Sequence, residues 1–164
     1  MPRERAWEAL LGSDLAASAP SKLLLALRGY GLRARRGNAG GTIADRLQRF
    51  GFTKLNEVSG EELVFGLAGR FWRFDGGLRR IADPATFRAF AEDGCVKTAW
   101  NLRVVETGPA KSLLTTETRV KCFGPSARRK FRLYWALIAS FSGAIRMGLL
   151  RGVKRRAELG REGT

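Results

Sequence analysis

Two stretches of this chain alternate apolar and polar side chains with period two, and a turn joins them. Val96, Thr98, Trp100, Leu102 and Val104 alternate with Lys97, Asn101 and Arg103. Leu114, Thr116, Thr118, Val120 and Cys122 alternate with Glu117, Arg119 and Lys121. Thr107-Gly108-Pro109 lies between them. Successive strand side chains point to opposite faces, so the pattern predicts an antiparallel pair with one apolar face and one wet face. An apolar sheet face has to be covered by another element. The chain supplies a cover after Gly124-Pro125-Ser126, a helix of roughly 30 residues. On a wheel of about 100° per residue its Phe131, Tyr134, Ile138, Phe141, Ile145 and Leu149 fall within about 80°. Arg132, Ala139, Gly143, Arg146 and Lys154 fall opposite.

Upstream, the helical period comes first. Residues 2–11 predict a short helix opened by Pro2, with Ala6, Leu10, Trp7 and Leu11 at helical spacing. Pro20 to Leu27 predicts a second helix stopped by Gly29. Residues 30–41 are rich in Gly and Arg without periodicity and predict a flexible loop. Thr42 is an N-cap for a helix with Ile43, Leu47 and Phe50 on its apolar face, ended by Gly51. The period then shortens. Phe52 to Val58, the turn Ser59-Gly60 and Glu61 to Trp72 predict a hairpin, with Leu63, Phe65, Leu67 and Phe71 on one side. Asp75-Gly76-Gly77 marks a turn and Leu78 to Ile81 a short strand. Asp83 caps a helix with Pro84 at its first position and Phe87 and Phe90 inward, and Gly94 ends it.

The chain has 164 residues, of which 45% are hydrophobic. That suits a single globular domain over 1–164, with a disordered tail at 159–164. It has no His and two Cys. These absences exclude a His-based nucleophile, a His-ligated metal and a Cys-rich zinc site, so no catalytic residue, metal or cofactor is expected. The N-terminus lacks the apolar run of a signal peptide, which predicts a cytoplasmic protein with Cys95 and Cys122 as reduced thiols.

The formal net charge is +15. Such a balance suits nucleic acid or an anionic membrane as partner. Arg28 to Arg36 holds four Arg in nine residues, and Ser126 to Thr164 holds ten basic and two acidic residues. No RNP-like aromatic motif, GXXG clamp or zinc finger accompanies them. Arg, Ala and Gly are all abundant, and shared GC-rich codons explain part of the excess. Nucleic acid and anionic membrane are therefore secondary expectations. Leu133 to Ile145 is a run of 13 uncharged residues, short of the roughly 20 that cross a bilayer. It predicts a buried or interfacial helix and no transmembrane segment. An interfacial anchor would compete with the sheet for the helix's apolar face, and burial against the sheet is favoured.

The runs ELVFGLAGRFW (62–72), KTAWNLRV (97–104), LLTTETRV (113–120) and ARRKFRLYWALIASFSGAIRMGLLRGVKRRAE (127–158) resemble a bacterial group of the START-like (SRPBCC) superfamily. The resemblance covers residues 6–158. It implies the helix-grip fold, an α+β architecture in which a curved antiparallel sheet grips a long C-terminal helix around an apolar cavity. It implies binding of a small hydrophobic or lipid-like ligand, and some members are cyclases or hydrolases. Helix-grip chains begin with a strand, whereas here a helix starts almost at Met1. Either the natural start lies further upstream or the usual first strand is lacking; in the second case a neighbouring strand exposes unpaired backbone, and a homodimer is one expected consequence.

Periodicity and resemblance converge on a ligand cavity lined by Leu63, Phe65, Leu67, Trp100, Leu102, Leu114, Thr116, Thr118, Tyr134, Ile138 and Phe141. Thr116, Thr118 and the Tyr134 hydroxyl would orient a mostly apolar ligand. The alternative is that these side chains interdigitate into a solid core. Arg70, Asn101, Arg103, Glu117 and Arg119 form a second constellation. By alternation the last four lie on the opposite face, as a solvated ladder in which Glu117 pairs across strands with Arg103. The functional alternative is a polar or anion site, reached if the register slips by one residue.

Overall fold

The computed structural model describes residues 2–13, 41–73 and 77–159, with Phe141 and 157–159 described by backbone alone. The expected helix at 20–27, the Arg/Gly loop but for Gly41, most of the turn at 75–77 and the tail beyond Leu159 lie outside the described residues. The elements are α1 (Arg3–Leu11), α2 (Ile43–Arg49), β1 (Thr53–Val58), β2 (Glu62–Gly69), β3 (Leu78–Arg79), α3 (Pro84–Ala89), β4 (Val96–Gly108), β5 (Lys111–Cys122) and α4 (Pro125–Leu159).

The caps explain where the short helices start. Thr42 Oγ1 accepts from the Asp45 backbone N–H, and the Asp45 carboxylate accepts in return from the Thr42 N–H at 2.7 Å. This reciprocal box satisfies two orphan donors of α2. Gly51, at φ +86°, closes the same helix. The Asp83 carboxylate accepts from the Thr86 N–H at 2.7 Å, and Pro84 follows with the φ a first turn needs. α1 ends differently. The Arg156 guanidinium of α4 donates to the Gly12 carbonyl at 2.8 Å, and Arg46 donates to the Ser13 carbonyl at 2.7 Å. Two of the many arginines thus stand as cations just past the C-terminal end of α1, where the helix dipole favours positive charge.

The strands form one antiparallel sheet in the order β1-β2-β4-β5, with β3 pairing β2 beyond the end of β1. The sheet is curved and unclosed, and α4 lies on its concave side in a helix-grip-like arrangement. β4 and β5 are longer than the alternation alone predicts. Gly108 pairs with Lys111, so the reversal is a two-residue loop, Pro109-Ala110, with Ala110 at φ +53°. β2 is shorter than predicted. It stops at Gly69, whose φ of +138° breaks the pleat, and the next amide, of Arg70, donates to the Gly77 carbonyl at 2.7 Å.

Registers Phe65↔Trp100, Trp100↔Thr118 and Leu102↔Thr116 put the predicted inner residues on one face. That face carries two packed clusters. Leu63, Phe65, Trp100, Leu102 and Val104 pack with Trp7 and Leu10 of α1, Ile43 and Leu47 of α2, and Leu149 and Val153 of α4. Leu67, Phe71 and Val96 pack with Ala127, Phe131 and Tyr134 of α4. A third cluster holds the convex face, where Phe87 of α3 meets Ala68 and Ile81. Gly66 makes this contact feasible, because a Cβ there would lie 2.7 Å from the Phe87 ring.

Lys97 shows how the convex face is finished. Alternation places it on the polar side of β4, yet its ammonium sits under the end of α3. It donates to the carbonyls of Phe87, Arg88 and Phe90 at 2.9, 2.9 and 3.0 Å, and it lies over the Phe87 and Phe123 rings. Burial, with Lys121 adding to it, pushes its pKa down. A cation at a helix C-terminus is a stabilising arrangement, and here the helix packs on top of it.

Candidate functional site between β5 and the C-terminal helix

The concave face is not covered evenly. Leu63, Phe65 and Leu102 are fully buried, and Leu67 and Trp100 nearly so. The β2–β4 half of the expected cavity lining is therefore solid core. Toward β5 the cover thins. Leu114, Thr116 and Thr118 are half-buried, and Val120, on the same face, is 40% exposed. From α4, Tyr134 is buried, and Ile138, Ile145 and Arg146 are half-buried. The described part of the expected lining thus divides into a packed half and a half that solvent reaches along β5.

The polar groups of the open half are ordered by hydrogen bonds. Trp100 Nε1 donates to Thr116 Oγ1 at 2.6 Å, and Thr116 Oγ1 donates to the Asn101 carbonyl at 2.9 Å. The indole and that hydroxyl are thereby occupied. Trp100 is further held by Phe52 and Phe65, with ring centroids 6.1 and 6.3 Å away. Thr118 differs. Its Oγ1 accepts from Arg146 Nη2 at 3.1 Å, across the gap between sheet and helix.

Arg146 is the residue the sequence pattern misplaces. A straight wheel sets it on the outer side of the helix. In the structure α4 bends by 44° between Pro125–Ser140 and Ser142–Arg156, and the Arg146 side chain reaches inward to β5. Small residues interrupt α4 where it bends, at Ser140, Ser142 and Gly143, and such pairs are a recognised cause of kinks. That cluster inside an otherwise bulky apolar run was the available signal. The long arginine side chain does the rest, carrying its guanidinium to a polar partner on β5.

The second constellation separates. Asn101, Glu117 and Arg119 come together on the convex face. Asn101 Nδ2 donates to Glu62 Oε1 and Asn101 Oδ1 accepts from the Glu117 N–H, both at 2.8 Å. The predicted cross-strand pair does not form. Asn101, not Arg103, stands opposite Glu117, and Glu117 accepts instead from Arg119 of its own strand at 2.9 Å. This hydrogen bond holds the Glu117 carboxyl below the usual range. The pair is largely exposed, and such ladders contribute little. The register keeps Glu117 off the concave face.

Arg70 stands apart from this group. Its neighbour Gly69 pairs with Val96, five positions along β4 from Asn101, which is roughly 16 Å of strand. It belongs to a different set with Cys95, Glu92 and Arg79. Glu92 is hydrogen-bonded by Arg79, Nε to Oε2 at 2.7 Å. That bond, aided by Cys95 and by the charges of Arg79 and Arg70 and opposed by desolvation, holds the carboxyl at about 2. Burial pushes the Cys95 thiol up, so it is not a thiolate nucleophile. The Glu92 shift predicts an acid response. A carboxyl whose folded pKa is depressed stabilises the fold above its unfolded value and loses that contribution as pH falls toward the folded one. Between about pH 4.5 and 2, the melting temperature of Glu92→Gln is expected to fall less than that of the wild type. Thermal melts at pH 7 and pH 3 measure this, and parallel losses in both proteins would refute it.

Among the described residues, no three His, Cys, Asp or Glu side chains gather as metal ligands. The site offers an aromatic and aliphatic wall, hydroxyls and one guanidinium, a set suited to binding. The chain is thus an α+β protein with a helix-grip-like arrangement, and the inner face of its β5 strand is only half covered. Comparison of the chain with family models, with curated proteins and with solved structures finds no match.

Proposed function

We propose that this chain binds a small amphipathic molecule between β5 and α4, with its apolar body against the half-buried Leu114, Ile138 and Ile145 and an anionic group at Arg146. The START-like resemblance of its sequence points to an apolar ligand held by sheet and helix, and the half-covered inner face of β5 supplies a place for one. The observation that carries the reading is the Arg146–Thr118 hydrogen bond. A cation directed between two apolar walls, bonded to a neutral hydroxyl, can pair with an incoming carboxylate or phosphate through a charge-assisted bond stronger than the one it gives up. An enzyme on this scaffold would need an acid or base on the concave face, and Glu117 lies on the other face.

The probe is a long-chain fatty acid titrated into the full chain, followed by calorimetry. Arg146→Met is expected to weaken binding about tenfold or more, the order of one charge-assisted hydrogen bond. Arg146→Lys is expected to recover part of the loss. Equal affinities for wild type and Arg146→Met would sink the proposal, as would an absence of binding to the wild type.

A further inference from the structure

α4 has two apolar faces, and the core uses one. Phe131, Tyr134, Leu149 and Val153 are buried against the sheet and α1. On the other side Leu133 and Leu137 are 72% and 74% exposed, and Met147 is 48% exposed. Ala136 and Ala144 are exposed beside them. Leu133 and Leu137 lie on the Pro125–Ser140 arm of α4 and Ala144 and Met147 on the Ser142–Arg156 arm, which meet at 44°, and all four are exposed. The stripe is bounded at one end by exposed Arg129 and Lys130 and at the other by exposed Arg151 and Arg155. From Pro125 to Arg156 the helix carries nine basic residues and no acidic one.

We propose that this outer stripe docks the protein on an anionic lipid membrane, with Leu133 and Leu137 of the Pro125–Ser140 arm entering the interface. The sequence pattern set membrane binding and sheet binding in competition for one apolar face. The structure removes that conflict, because the stripe is separate from the face in the core. Exposed leucines call for an apolar partner, and basic ends without acidic residues call for an anionic one; an anionic bilayer surface is both. Nucleic acid would satisfy the arginines but leave Leu133 and Leu137 in water. A second copy would cover the leucines, but it would bring the basic ends of two helices together in either direction. The exposed apolar residues run from Leu133 to Met147 over both arms of the bent helix, with cations at both ends.

The test uses the full chain with vesicles of phosphatidylglycerol and phosphatidylcholine, against pure phosphatidylcholine, in a sedimentation assay at moderate salt. The wild type is expected to bind the anionic vesicles. Leu133→Ser with Leu137→Ser is expected to reduce partitioning about tenfold per leucine. Both positions are exposed, so the double variant should keep the wild-type melting temperature and the wild-type affinity for the fatty acid, which separates this proposal from the ligand site. Vesicle binding that survives the double substitution, or no binding by the wild type, overturns the proposal. So does a dimer of the wild type that the double substitution dissociates without vesicles, since the stripe would then be a self-interface. Tighter binding to duplex DNA than to the vesicles, unaffected by the two substitutions, assigns the helix to nucleic acid and also overturns it.

Discussion

Phe65→Ala is expected to destabilise the protein by about 3–5 kcal/mol, a large share of the roughly 5–15 kcal/mol that holds a domain together. Phe65 lies on an inner strand of the sheet and is fully buried. Its ring meets Trp100 on β4, and its cluster includes side chains from α1, α2 and α4. The cost of a truncation depends on how far the surroundings relax into the space. Here the ring belongs to a cluster to which the sheet and three helices contribute, and a fully buried aromatic in such a cluster leaves a cavity when truncated. Denaturant unfolding should show a lowered midpoint with an unchanged slope, the mark of lost stability without a changed denatured state. Leu114→Ala is the internal control. Leu114 is half-buried on the open side of the same face, so its loss should be distinctly smaller. Equal losses would mean that the division into a packed half and an open half is wrong.

That division was only partly legible in the sequence. Alternation placed Leu63, Phe65, Trp100, Leu102, Thr116 and Thr118 on one face, and the observed registers agree. The pleat forces this, because a slip by one residue would expose the whole apolar set. Capping signals were equally readable at Thr42 and Asp83, since a cap is a local event of a few residues. Alternation does not measure cover, however. It assigns Leu63 and Thr118 to the same face and cannot say that α1 and α2 seal the first while the second stays half open.

Arg146 and the end of β2 are misplaced for one physical reason: each depends on a geometry that departs from the ideal period. Arg146 reaches inward on a bent helix, where a straight wheel accumulates error past the bend. β2 ends two residues before Phe71 because the backbone changes hand at Gly69. Lys97 sits on its predicted face, but that face is partly buried by a short helix, and its ammonium serves three carbonyls there. Leu133 and Leu137 are the opposite case. They are adjacent in sequence to the inner face, and the run from Leu133 to Ile145 reads as uniformly apolar. Only packing separates the side the sheet takes from the side left over.

The second large effect is expected at Gly69, where Ala should cost about 3 kcal/mol or more. Two terms act together. At φ +138° the backbone is in a region that side chains rarely adopt. A Cβ built there would also lie 2.3 Å from the Gly77 carbonyl oxygen and 2.7 Å from the Leu78 Cα. These are backbone atoms and cannot rotate away as a flexible side chain would. Relief requires β3 to move from β2, which breaks the Ala68↔Arg79 and Gly69↔Leu78 pairs and the hydrogen bond from Arg70 to Gly77. It would also pull Leu78 off the second cluster. The same substitution at Gly152 should have the opposite sign. Gly152 lies inside α4 away from the bend, is exposed, and has no atom within 4 Å of an added Cβ. Alanine there is expected to stabilise by about 0.5–1 kcal/mol through helix propensity. Calorimetric melts of the two variants decide the matter: a loss at Gly69 and a gain at Gly152 are required, and a Gly69→Ala protein that melts with the wild type would mean that the β2–β3 junction does not have this close approach.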